Sequence, residues 1–194
     1  MKLQSSCPVH KEDLLSVATA ELAGTWAVET SHSHATFTVR HAGISKVRGS
    51  VAITEGTIVV ADPIEESSVT ATLDATSVDT KDAKRDGHLV SADFFDTESF
   101  PTWTFTSTSV ERGGEGLLVH GDLTIRGVTR PVTLDVELNG TATDPFGTSR
   151  VGFSATTEIS RKEFGLTWNA ALETGGVLVA DTVHISLEIE GAKG

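Results

Sequence analysis

The sequence predicts an all-β protein, a single antiparallel barrel of about eight strands, and three features of the chain point there. From Gly24 onward, apolar and polar residues alternate with a period of two, as in a strand with one buried face. Several of these runs reach ten residues, or about 33 Å of extended chain, so a barrel built from them is tall. Gly49 and Gly56 fall inside one of the longest runs, where glycine marks the bends or bulges that closure requires. No low-complexity run, linker or repeat of about 20–50 residues divides the 194 residues, so the chain reads as one domain.

Residues 1–23 read as an extension that precedes a barrel domain over 24–192. Within it 5–10 is loop-like, and 11–22 can form a short helix with Leu14, Leu15, Ala18 and Leu22 on one face. The first strands are expected at 25–29 and 33–41. In the second, Ala35, Phe37, Val39 and His41 share one face, and His34, Thr36, Thr38 and Arg40 the other. A long strand follows at 46–60, then one at 67–78 with Val69, Ala71 and Leu73 alternating against Thr70, Thr72 and Asp74. Residues 102–111 and 116–126 form a hairpin around Arg112-Gly113-Gly114. The strand at 128–138 pairs back through Arg126-Gly127, with Val132, Leu134, Val136 and Leu138 in phase. After the turn signal Asp144-Pro145-Phe146-Gly147, 150–159 carries Val151, Phe153, Ala155, Thr157 and Ile159 on one face. Strands at 177–179 and 181–190 close the chain, with Val183, Ile185, Leu187 and Ile189 inward.

The longest interruption runs from Arg85 to Trp103. It crowds Asp82, Arg85, Asp86, His88, Asp93, Asp96 and Glu98 among Phe94, Phe95, Phe100 and Trp103. A surface turn has no need of four aromatic rings. Such a segment either caps one barrel end with a small core of its own or forms the polar lid of an apolar cavity.

The same residues carry a resemblance. Arg85-Asp86-Gly87-His88-Leu89, Asp93-Phe94-Phe95-Asp96 and Phe100-Pro101-Thr102-Trp103-Thr104-Phe105 resemble the central signature of the YceI-like family. Residues 26–41, 121–132 and 161–168 are similar to further stretches of that family, in its order. His32-Ser33 matches its usual His-Ser pair, although Glu29-Thr30 stands where Asp is usual. The resemblance implies a lipocalin-like barrel that binds isoprenoid lipids, with short helical pieces near 82–95 and 161–166. It also implies that a homodimer is a common state. Many members of the family are exported.

Charge and composition exclude several alternatives. Fifteen basic against 27 acidic residues give a net charge of −12, the wrong sign for gripping nucleic acid. The same sign disfavours adsorption to an anionic membrane and leaves room only for brief contact during lipid exchange. Cys7 has no internal partner for a disulfide. Leu14 to Ala20 is mildly apolar and ends in Ala-Thr-Ala, but Glu12 and Asp13 stand where a signal peptide carries positive charge. The expectation is a cytoplasmic protein, with a secreted or periplasmic one the lesser alternative.

No nucleophile elbow, phosphate loop or dinucleotide fingerprint occurs, so no enzyme is expected. His32 and His34, two apart, put both rings on one face of a strand, and His41, His88, Asp86 and Asp96 could join them. A metal site needs at least three such ligands with second-shell support. A metal- or haem-associated stress or redox protein is therefore the alternative function, and no metal or cofactor is assigned. The first function is storage or transport of a polyisoprenoid or isoprenoid quinone inside the barrel. Its candidate lining is Phe37, Val39, His41, Val69, Leu73, Phe94 and Phe95, together with Trp103, Phe105, Leu134, Phe153, Phe164 and Trp168. Arg85, Asp86, His88 and Arg161 are the candidate mouth or head-group residues. Small inward residues (Ala35, Ala71, Ala155, Thr157) beside large ones favour a hollow interior, yet periodicity alone is equally consistent with a filled one.

Overall fold

The computed structural model describes residues 22–114, 116–173 and 175–194. The extension expected over 1–23 falls outside them except for Leu22 and Ala23. Nine strands form one antiparallel sheet: β1 Gly24–Val28, β2 His34–His41, β3 Ser45–Val60, β4 Ser68–Asp79 and β5 Thr102–Gly113, then β6 Gly116–Ile125, β7 Val128–Thr143, β8 Ser149–Ser160 and β9 Val179–Lys193. The sheet closes because β4 pairs with β3, giving eight positions around the ring.

Nine strands fill eight positions because β1 and β2 share one. Both lie between β3 and β9, end to end: Gly24 opposes Val60 and Val28 opposes Gly191, while His34 opposes Glu188 and His41 opposes Ser45. Residues 29–33 leave the ladder between them. Polar groups stitch that gap. The Glu29 amide donates to the Glu190 carbonyl at 2.8 Å, and the Glu190 amide donates to the buried Ser33 hydroxyl at 3.0 Å. Ser33 of the His-Ser pair therefore replaces a missing backbone partner, which an interrupted ladder needs. The strand expected from residue 33 starts one residue later, and His32 sits in the turn rather than on a strand face with His34.

Long strands bend where glycine and bulges occur, as expected. The β3–β4 register shifts between Ser50 and Ala52 and again between Ile53 and Glu55, close to Gly49 and Gly56. Gly49 also makes room for Phe37: a Cβ there would come within 2.4 Å of the phenyl ring. Gly121 does the same for Phe105. β7 runs five residues past its expected end. A register shift between Leu138 and Gly140 changes its phase, and Thr141, Ala142 and Thr143 pair with Val151, Arg150 and Ser149. The strand expected at 177–179 does not form; Val177 makes an isolated bridge to Ala171, and Val179 opens β9.

The helical pieces cap one barrel end. The helix α1, Ala83–Leu89, starts where the Asp82 carboxylate accepts the Lys84 and Arg85 amides. A 3-10 turn at Arg161–Phe164 stops at Gly165, whose φ of 76° suits glycine. A further 3-10 turn, Ile64–Glu66, lies at the opposite end with the β5–β6 and β7–β8 turns.

Candidate functional site

The barrel is hollow. A cavity of about 430 Å³ runs along its interior, inside the range of roughly 300–1,000 Å³ usual for small-molecule sites. Its wall is almost wholly aliphatic and aromatic. The inward rows Val132–Leu134–Val136–Leu138 on β7 and Ile185–Leu187–Ile189 on β9 are only half-buried, although they face the axis. In a filled core these side chains would be sealed by neighbours. Ala35, Ala71, Ala155 and Thr157 all line the cavity, so small residues leave space that large ones do not fill.

The two ends differ. At the α1 end, Phe95, Trp103, Phe164 and Leu166 pack with Val51, Ala75, Val78 and Ile125 as a buried plug. The Phe95 and Trp103 rings meet edge-on, 4.6 Å between centroids. Above it, His88, Phe94 and Trp168 cluster: the imidazole lies 5.0 Å from Phe94 and 4.7 Å from Trp168, and Nε2 is 3.0 Å from the Asp93 carboxylate. At the other end Arg112, Gly116 and Leu22 border the cavity. Arg112 lies in phase with inward Val110, and its guanidinium is 3.6 Å from Glu65 on the Ile64–Glu66 turn. It is the cationic side chain of the lining among the described residues.

Of the lining expected from sequence, Phe37, Val69, Leu73, Trp103, Phe105, Leu134 and Phe153 border the cavity. Phe95 and Phe164 belong to the plug, and Phe94 and Trp168 to the cluster above it. Val39 and His41 lie on the last turn-ward part of β2, where the facing residues of β3 have run past the end of β4. None of these six touches the cavity, and neither do Arg85, Asp86, His88 or Arg161.

Arg85, Asp86 and Arg161 spend their hydrogen bonds on the fold. Arg85 Nε donates to the Thr80 hydroxyl at 2.7 Å and Nη2 to the Thr80 carbonyl at 2.8 Å. The Thr80 amide donates to Asp86 at 2.9 Å, and the Thr80 hydroxyl donates to the same carboxylate. Thr80 is buried, so Arg85 and Asp86 pin α1 to the end of β4. Arg161 is buried too, with 4% of its surface exposed, and donates only to backbone carbonyls: Ala180 at 2.9 Å, Trp168 at 3.0 Å, Val179 and Leu166. Burial lowers its pKa from the ordinary guanidinium value, and the charge of Asp181 works against that. Burial pushes the Asp181 carboxyl up, but the Ser160 hydroxyl and Lys162 amide more than offset this and hold it low. Arg161 thus ties the 3-10 turn, the 166–168 segment and β9 together.

Lining residues that the aromatic-led choice passed over include Ile53, Ile58, Leu117, Leu123, Val136 and Leu187. The period-two phase marks most of them; the choice of rings over aliphatics left them out. Among the described residues, no three His, Cys, Asp or Glu side chains come together as metal ligands. His32 faces Glu190 at 3.3 Å, and exposed His34 lies on β2.

The model of the YceI-like domain matches residues 26–191. The chain belongs to the YceI-like family. Protein YceI of Escherichia coli O157:H7 is 42% identical over 139 residues, 71% of this chain and 73% of the relative. Protein YceI of Salmonella arizonae is 41% identical over 140 residues, 72% and 73%. Among solved structures, Burkholderia cenocepacia BcnA superposes with a TM-score of 0.72 at 22% identity, covering 84% of this chain and 98% of its own. The Campylobacter jejuni YCEI protein gives 0.64 at 29% identity, covering 80% and 90%. A polyisoprenoid binding domain from Saccharophagus degradans gives 0.64 at 17% identity, covering 87% and 98%. The lipocalin-like barrel expected from the YceI-like resemblance is therefore the fold of this chain.

Proposed function

We propose that this YceI-like barrel stores or carries a long isoprenoid lipid, a polyisoprenoid or an isoprenoid quinone, without chemical change. The observation that carries this reading is the apolar hollow along the axis, with its half-buried inward rows. A relative in fold, the Saccharophagus degradans domain, is a polyisoprenoid binding domain, which supports the same ligand class. At about 0.8 kcal/mol per buried CH₂, a five-carbon unit contributes roughly 3–4 kcal/mol before costs. A few units exceed the cost of association and chain ordering. Such a tail offers no hydrogen bonds, so selection falls to the polar end of the ligand.

That polar end belongs at the Arg112 rim. Arg112 is charged and stands in phase with the inward face, whereas Arg85, Asp86 and Arg161 spend their hydrogen bonds on the fold. The barrel works in the cytoplasm, touches membranes briefly to exchange lipid, and can pair as a homodimer. Arg112→Ala and Arg85→Ala separate the assignments. Arg112→Ala should change which head groups are retained while tails still bind. Arg85→Ala should lower the melting temperature and leave the lipid complement unchanged. An Arg85→Ala protein that folds normally but loses its lipid would reverse the assignment.

A further inference from the structure

The β2–β3 hairpin is an electrical exception in an acidic chain. Residues 30–54 contain no Asp or Glu, although the whole carries −12. On its outer face Arg40 stands directly opposite Lys46, and Arg48 follows two residues on, opposite Thr38. All three are exposed, and none makes an ion pair among the described residues. Asp181 at the head of β9 is taken up by the Ser160 hydroxyl and the Lys162 amide. Like charges directly opposed in a ladder destabilise it, so the fold carries a cost here that no internal contact offsets.

The tip adds apolar surface. The turn at His41–Ile44 closes with the Ile44 amide donating to the His41 carbonyl at 3.1 Å. Ile44 itself is 86% exposed. The Ala42 amide donates to the Leu178 carbonyl at 2.7 Å, which brings Val177, 51% exposed, to the same rim. Apolar tips ringed by cations fit an anionic lipid surface: the aliphatic side chain enters the interface while Lys and Arg stay at the phosphates. The α1 end also carries exposed carboxylates, of which Asp79 faces Lys81, Asp82 faces Arg85 and Asp93 faces His88, while Glu98, Glu163 and Glu173 lie outside the hairpin. Charges beyond about 8–10 Å are screened at physiological salt. Net charge therefore does not decide the matter; the acid-free run 30–54, with its three cations unpaired among the described residues, does.

We propose that the 40–48 hairpin, with Ile44 at its tip, docks this protein on anionic membrane surfaces. Docking does not depend on which lipid the barrel holds; it sets the plugged α1 end toward the bilayer and the Arg112 rim toward water, so it is an anchoring contact distinct from the brief contact that exchanges lipid.

The test is sedimentation of the full chain with vesicles of phosphatidylcholine alone, or with about a third phosphatidylglycerol. Binding is expected only to the anionic vesicles, and raising salt from about 0.1 M to about 0.5 M should release it. Lys46→Glu should weaken it about thirtyfold, two charges' worth of attraction. The same change places an acid opposite Arg40, so it should raise the melting temperature. Ile44→Ser should weaken binding as well. Phe146→Ser, which removes a ring 92% exposed at the opposite end, should leave it unchanged. Mass spectrometry of extracted lipid from each variant reads the barrel separately: lost docking with retained lipid leaves the carrier reading intact. Equal binding by wild type and Lys46→Glu would overturn the proposal. So would equal binding to uncharged vesicles, or capture by a single-stranded oligonucleotide at salt where anionic vesicles are ignored.

Discussion

Ala71→Phe asks whether the barrel is hollow. Ala71 sits mid-strand on β4, opposite Gly56 and Phe105, with its methyl facing the cavity. In a close-packed core an added ring forces neighbours off their rotamers at about 1–3 kcal/mol or more. For a chain of this size, that lowers the melting temperature by about 2–12 °C, at roughly 2–4 °C per kcal/mol. In a 430 Å³ cavity the ring finds room and covers apolar wall, so the lipid-free protein should melt at the wild-type temperature or above it. The same ring occupies space needed by the ligand. Excluding one five-carbon unit forfeits roughly 3–4 kcal/mol, or a few-hundredfold in affinity. Scanning calorimetry of delipidated protein reads the first effect, and titration with a prenyl lipid under native mass spectrometry reads the second. A drop of several degrees with unchanged lipid affinity would refute the hollow-barrel argument.

Two further outcomes follow from the polar contacts. Arg161→Met removes a buried guanidinium that serves four carbonyls; at about 1–3 kcal/mol per orphaned buried group, urea midpoints should report a loss of several kcal/mol. Acid should also destabilise the protein at the far end of the barrel. The Ser31 hydroxyl and amide, then Arg150, hold the Glu29 carboxyl below its ordinary value, and the Thr148 amide and Arg150 do the same for Asp144. Depressed carboxylates contribute stability in full above their unfolded values, and that stability is lost as pH falls through the folded ones. Melting temperature should thus decline below about pH 4–5, and Arg150→Gln should flatten that decline; an unchanged slope would remove Arg150 from the account.

The strands were legible because each has one face to water and one to the axis, and a period of two records that directly. Phe37, Val69, Phe105 and Phe153 fell into the lining for this reason. Neither the segment between Arg85 and Trp103 nor that at 161–168 has a period, so their rings carried no direction. Phe94, Phe95, Phe164 and Trp168 could equally well have faced the hollow or each other, and they meet each other. Charge was no better a guide: Arg85, Asp86 and Arg161 resemble head-group ligands in a list of residues, while their hydrogen bonds in the structure go to Thr80 and to backbone carbonyls. The shared position of β1 and β2 was equally hidden. Two short strands look alike whether they lie side by side or end to end, and only pairing with both β3 and β9 distinguishes the cases.

The most direct measurement is mass spectrometry of an organic extract from gently purified protein, with native mass spectrometry of the same sample. A prenyl lipid released at a stoichiometry approaching one per chain, and regained when added back to stripped protein, is the expected result. Bare polypeptide that takes up no prenyl lipid under any loading condition would contradict the central claim.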